Sequence, residues 1–306
     1  MLYDRVGSGK SIDAITSGPK GFVAITHAPT LDGKAMPARN NIAAVSVDGV
    51  SWTEGPIAPD GHYYSIASGA GRYFAAGGMA SGGGPGRIIA SVDGRAWTEV
   101  ATASQVLKRV RHTDAGFIAV GIFGATVTSP DGSVWTESQA APNMLWDATF
   151  GAGRFIAVGL TLSVGSTDGK KWSDLPCGPD LPCNTIVDPS GISHAILQLY
   201  TVDFGNGVFV TQGEAGLLRS PDGLKWSHVG GGHRQLGFAD GRFIALDPMN
   251  PGAATPTSVR VSDSADGQTW RERTSATLEP TDDNCGNARC LLLPAALLIV
   301  PGRPSP

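Results

Sequence analysis

The chain has 306 residues, 42 of them glycine and 21 proline, and only 16% are charged, which excludes a helix-rich or coiled-coil protein and favours many short strands joined by tight turns. Hydrophobic residues make up 41%, enough for a substantial core, and the net charge of −4 gives no general basic field to attract nucleic acid or an anionic membrane. The longest apolar run, Leu291 to Val300, is broken by Pro294 and is far shorter than the ~20 residues of a spanning helix, so it reads as a buried strand and no membrane insertion is expected.

In chain order, the opening segment MLYDRVGSGKSID has no apolar stretch of the kind a secretory signal needs, so such a signal is expected to be absent from it or already removed. From residue 11 onward one pattern recurs. An apolar strand that begins at or near glycine (GFVAIT at Gly21, GRYFAAGG at Gly71, GFIAVG at Gly116, GRFIAVG at Gly153, GVFVTQG at Gly207, GRFIALD at Gly241) is followed each time by an Asp-Gly motif. The motifs are SVDGVSW (46–52), SVDGRAW (91–97), SPDGSVW (129–135), STDGKKW (166–172), SPDGLKW (220–226) and SADGQTW (264–270). Their tryptophans are 97−52=45, 135−97=38, 172−135=37, 226−172=54 and 270−226=44 residues apart, a period near that of four-stranded propeller blades. One unit reads as strand, tight turn, apolar strand, loop, strand, Asp-Gly turn and Trp-bearing strand, which is an antiparallel meander.

The chemistry of the motif is structural. Asp48, Asp93, Asp131, Asp168, Asp222 and Asp266 accept nearby backbone amides, the following glycine takes positive φ, and Trp52, Trp97, Trp135, Trp172, Trp226 and Trp270 are expected to pack into the next unit. The DxDxDG arrangement of a calcium loop is missing, and scattered histidines give no metal-ligand spacing, so neither a metal nor a cofactor is expected.

These motifs resemble the Asp box, or bacterial neuraminidase repeat, in a variant where Gly directly follows Asp. The resemblance covers roughly residues 11 to 272 and implies a β-propeller with the boxes on the hairpins between strands 3 and 4, away from the binding face. It does not imply sialidase activity: the sialidase FRIP segment has only GRIIAS at Gly86 as its nearest string.

The expected fold is thus all-β, one domain over 1–306. It is a propeller with six blades over about 11–273 and a seventh closing blade from 282–302 with 1–8; six blades with an appended hairpin is the alternative. In a meander, the turns between strands 1 and 2 share a face with the Asp-Gly turns, and both sets are short. The opposite face carries long, unequal connections at 27–40, 78–86, 173–196, 247–258 and 272–288. Cys177 with Cys183 and Cys285 with Cys290 fall on that face, where local disulfides would staple the loops and imply an extracytoplasmic location; free thiols and a four-cysteine zinc site are the alternatives.

Aligning the units places Asp13, Tyr64, Lys108, Trp146, Tyr200, Arg234 and Arg289 at one position near the start of each innermost strand, above an apolar layer of Ile15, Ile66, Val110, Ala148, Val202, Leu236 and Leu291. Aromatic faces at Tyr64, Trp146 and Tyr200 suit a flat ligand such as a sugar ring, and Lys108, Arg234 and Arg289 suit a carboxylate or sulfate. Arg109, Arg111, Asp147, His194 and His233 extend the rim. The expected function is binding of an anionic ligand, an acidic glycan or a peptide segment. A carbohydrate-active enzyme is the first alternative, with Tyr200, His233 and Arg234 as a lyase set or Asp13 and Asp147 as a hydrolase pair. An assembly scaffold is the second.

Overall fold

The computed structural model describes residues 11–27, 41–78, 84–160, 163–175, 186–187, 193–194, 198–213, 216–231, 235–249 and 258–277. Their strands form six four-stranded antiparallel blades, each a meander in chain order. Blade 1 is β1 (Ser11–Gly18), β2 (Gly21–His27), β3 (Ile42–Ser46) and β4 (Thr53–Pro56); blade 2 is β5 (His62–Gly69), β6 (Arg72–Gly78), β7 (Gly86–Ser91) and β8 (Thr98–Ala103). Blade 3 is β9 (Leu107–Thr113), β10 (Gly116–Gly121), β11 (Ala125–Ser129) and β12 (Thr136–Gln139), with a short 3-10 turn, Ile122–Gly124, between β10 and β11. Blade 4 is β13 (Leu145–Gly151), β14 (Arg154–Gly159), β15 (Ser163–Ser166) and β16 (Ser173–Asp174), followed by a two-stranded ribbon of β17 (Ile186–Val187) and β18 (Ser193–His194). Blade 5 is β19 (Leu199–Gly205), β20 (Val208–Gly213), β21 (Gly216–Ser220) and β22 (Ser227–Gly230), and blade 6 is β23 (Gln235–Ala239), β24 (Arg242–Met249), β25 (Ser258–Ser264) and β26 (Arg271–Thr277).

The chain falls into two compact units, Met1–Ala148 with Asp168–Trp172 and Thr149–Thr167 with Ser173–Pro306. The first holds blades 1 to 3, the beginning of β13 and the Asp-Gly turn of blade 4. The second holds the rest of blade 4 with blades 5 and 6. Within each unit the core lies between neighbouring blades. Val23, Ile25 and Val45 meet Tyr63, Ile66 and Tyr73 between blades 1 and 2, and Phe74 and Ile88 meet Val110 and Phe117 between blades 2 and 3. In the second unit Ile156 and Val158 meet Val202 and Phe209, and Val210 and Leu217 meet Leu236 and Phe243. The described members of the predicted apolar layer, Ile15, Ile66, Val110, Ala148, Val202 and Leu236, are all buried.

The Asp-Gly motifs close on themselves. In the first copy Asp48 Oδ1 accepts the N–H of Val50 and of Ser51 at 2.8 Å each and the Ser46 hydroxyl at 3.0 Å, while Gly49 N–H donates to Ser46 Oγ. The same bonds recur around Asp93 and Asp222, and the three to the carboxylate recur around Asp266. Such amides favour the ionised carboxylate, so the N–H groups of Ser51, Arg95 and Thr269 foremost hold Asp48, Asp93 and Asp266 below the ordinary carboxylate range, Asp266 at about 2.

From blade 2 onward the tryptophans pack against the preceding blade, not the next one as the sequence suggests. Trp97 joins the core between blades 1 and 2, Trp135 lies 5.8 Å from Phe74 of blade 2, and Trp172 Nε1–H reaches Ser138 Oγ of blade 3 at 3.1 Å. The turn itself sets this direction. Gly94, at φ 76°, is pressed so closely on blade 1 that a Cβ there would lie 2.5 Å from Val23. The indole then follows its own turn, with Trp97 Nε1–H donating to Gly94 O at 3.0 Å.

The described residues therefore form six blades, not the seven of the first expectation. The segments expected to build the seventh, 282–302 with 1–8, lie outside the described residues, as do all four cysteines and the run 291–300. No helix among the described residues is long and apolar enough to cross a membrane.

Candidate functional site

Four of the positions that the alignment of units singles out share a backbone device. In blade 1, Ile12 pairs with Thr26 and Ala14 with Ile25, so Asp13 is an extra residue in the ladder. Tyr64 is the extra residue between Tyr63 and Ser65, Lys108 between Leu107 and Arg109, and Tyr200 between Leu199 and Thr201. Each is a β-bulge on the innermost strand, at the end that meets the long connections. A bulge leaves one residue out of the pairing and re-aims its side chain, and such kinks gather beside binding and catalytic sites. Trp146 occupies the matching place in β13. Tyr200, 37% exposed, carries the device into the second unit.

In the first unit these side chains assemble a defined cluster. Lys108 Nζ lies 3.6 Å from the centroid of the Tyr64 ring, and the His62 ring lies 4.1 Å from the same ring. The ring quadrupole attracts the ammonium, a contact worth ~0.5–1 kcal/mol at an exposed site. The stack is fixed from below, because Val110 N–H donates to Ser65 Oγ at 3.2 Å and ties β9 of blade 3 to β5 of blade 2 just past both bulges. The Tyr64 face covered by Lys108 is closed to a flat ligand. On that face Tyr64 carries the lysine.

Beside that stack, Asp147 is 1% exposed and grips two arginines of β9. Arg111 binds it with both ends of its fork, Nε to Oδ1 at 2.8 Å and Nη2 to Oδ2 at 2.6 Å, and Arg109 Nε approaches Oδ1 at 3.3 Å. Ala148 N–H also donates to Oδ1, at 3.0 Å. A carboxylate so engaged is an orienting group for the arginines and is poorly placed for proton transfer. The cluster thus brings three cations of one strand, Lys108, Arg109 and Arg111, beside the carboxylate of Asp147. Trp146 Nε1–H, next along β13, is buried without a hydrogen-bond partner among the described residues.

Asp13 is held by a different route. Asn41, buried at the entry to β3, donates to Asp13 Oδ2 at 3.0 Å and accepts the N–H of Tyr63 from blade 2 at 2.6 Å. In blade 5, Asp203 plays a comparable linking part, accepting the N–H of Phe204 and of Phe238 in blade 6 at 2.9 Å each. Of the other expected site residues, His194 falls in β18, while His233, Arg234 and Arg289 lie outside the described residues. The alignment of units locates the bulges, but it gives no sign of the Arg111 fork on Asp147 or of the part of Asn41, because both depend on which side chains cross from one blade to the next.

No protein-family model matches the chain, and no curated protein sequence matches it. Solved structures do. The chain is similar to the WD40 β-propeller domain of Doa1, with TM-score 0.57 and 12% identity, over 89% of this chain and 84% of that one. It is similar to YCF48 from Cyanidioschyzon merolae, with TM-score 0.52 and 12% identity, over 88% and 87%. It is similar to the WD40 repeats of RRP9, with TM-score 0.58 and 8% identity, over 89% and 82%. At these identities the likeness concerns the fold alone: the chain is a β-propeller of four-stranded antiparallel blades, six of which fall among the described residues.

Proposed function

We propose that this propeller is a binding protein for an anionic ligand, which it takes at the bulged ends of its inner strands on the side of the long connections. The observation that carries this reading is the cluster on β9: Lys108 seated on Tyr64, with Arg109 and Arg111 oriented by buried Asp147. Cations held in place before the ligand arrives lose little freedom on binding, and charge-assisted hydrogen bonds to a carboxylate, sulfate or phosphate are the strong ones. The hydrolase alternative gains nothing from this geometry, since one of its two candidate carboxylates, Asp147, is taken up by arginine. Membership of the Asp-box proteins and an extracytoplasmic site of action belong to the same proposal. The first is supported by the self-closing Ser-x-Asp-Gly turns, the second by cysteine spacing alone.

Poly-L-glutamate, labelled and followed by fluorescence anisotropy, tests the reading. Binding is expected to weaken as salt is raised. Lys108→Ala and Arg109→Ala are each expected to lower affinity by about five- to tenfold, the loss of one charge-assisted contact. Absence of binding, or binding indifferent to both substitutions, would overturn the proposal.

A further inference from the structure

Resting on that reading, we infer that the anionic ligand is an acidic protein segment, and that Phe123 is the apolar anchor that engages a hydrophobic side chain next to its carboxylates. Phe123 is 60% exposed and sits in the left-handed region at φ 51°, ψ 32°. For a bulky side chain that backbone is a true outlier, which persists only where the surroundings over-determine it.

The surroundings here do so. Ile122 N–H donates to Val106 O at 3.0 Å, Gln139 Nε2–H to Phe123 O at 3.2 Å, and Ala140 N–H to Gly124 O at 2.8 Å. A Cβ on Gly124 would lie 1.8 Å from Ala141 O, so the turn is seated directly on the chain that leaves blade 3. The carbonyls of Ile122, Phe123 and Gly124 are all engaged, and Phe123 is the most exposed residue of the turn. A rigid turn presenting one aromatic ring has the form of a pre-organised interface anchor.

Its place joins it to the cationic cluster. Gly121, one residue before the turn, pairs with Leu107, and Lys108 is the bulged residue that follows. The ring and the cations thus emerge at the same end of the same blade, on adjoining strands. An acidic polysaccharide suits this pairing poorly. Its rings carry hydroxyls that need polar partners, the Gln139 amide beside Phe123 is spent on Phe123's own carbonyl, and the Tyr64 face is covered by Lys108. A polypeptide that mixes carboxylates with apolar side chains matches both parts.

Three polyanions separate the outcomes: poly-L-glutamate, a random glutamate–tyrosine copolymer of the same length, and polygalacturonate. The native protein is expected to bind the copolymer about tenfold tighter than polyglutamate, with polygalacturonate no tighter than polyglutamate. Phe123→Gly and Phe123→Asn both accept the left-handed backbone, so each is expected to bring the copolymer down to the level of polyglutamate without lowering the melting temperature. The inference falls if the native protein does not prefer the copolymer, if it prefers polygalacturonate, or if the preference survives both substitutions. Loss of stability in both variants would make Phe123 a structural residue and overturn it as well. Failure of the underlying reading looks different: polyglutamate itself would then not bind in a way that depends on Lys108.

Discussion

The two ends of each blade solve opposite problems with the same economy. At the Asp-Gly end, copies of one motif bind their aspartates to their own backbone amides, and from blade 2 onward the tryptophan bolts each copy to the blade before it. At the other end, one backbone device, the bulge of the innermost strand, recurs with acidic, aromatic and basic side chains: Asp13, Tyr64, Lys108 and Tyr200. Where side chains repeat, the repeat holds the fold; where only the backbone repeats, the side chains are released for something other than holding it. That division assigns stability to one end and recognition to the other.

The largest test of the division is Trp97→Ala. Trp97 is buried between blades 1 and 2, and removing a buried indole costs about 3–5 kcal/mol, read as a lower midpoint in urea. Polyglutamate affinity, measured where the variant is still folded, should stay at the native level; a parallel loss of affinity would break the separation of roles.

A smaller effect is expected where the two roles meet. Arg111→Met leaves buried Asp147 with Arg109 as its remaining arginine partner, and breaking a buried pair by removing one side costs about 3 kcal/mol or more. Arg111→Met combined with Asp147→Leu removes the stranded charge and should recover at least half of that loss. Polyglutamate affinity should stay low in the double variant, because Arg109 has lost the carboxylate that orients it. Recovery of stability together with affinity would show that Asp147 has no positioning role.

How much of this was legible in the sequence follows the same line. The six SxDGxxW motifs announce the meander, because bonds inside a seven-residue turn depend on residues that are neighbours in the chain. The inner-strand alignment reaches the bulge positions because each lies a fixed nine residues before a buried aromatic such as Tyr73, Phe117 or Phe209. What side chains do across blades was not legible. The direction of the tryptophans, the Lys108 seat on Tyr64 and the Arg111 fork on Asp147 all depend on contacts between residues 34 to 74 positions apart, as in Trp172 to Ser138 or Trp97 to Val23. Phe123 was missed for another reason: GIFGA reads as the plain continuation of an apolar strand, and only backbone angles reveal the turn that pushes the ring outward.

The smallest effect sharpens the account of the repeated end. The N–H groups of Thr269 and Gln268 hold the Asp266 carboxyl at about 2, below its ordinary value of 3.8. A folded-state value below the unfolded one adds stability that is complete above about pH 4 and is lost as pH falls toward 2, because the unfolded chain takes up the proton that the turn resists. Asp266→Asn keeps an oxygen for the two amides but has no proton to gain. Between pH 4 and pH 2 its unfolding midpoint should therefore fall less steeply than that of the native protein, while at pH 7 it should be slightly the less stable of the two. The site is exposed, so both differences are small, and Asp48→Asn should reproduce them because its turn makes the same bonds. If the two pH profiles ran parallel, the carboxylate would be a passive acceptor, and the turn's contribution would rest on the glycine and the tryptophan alone.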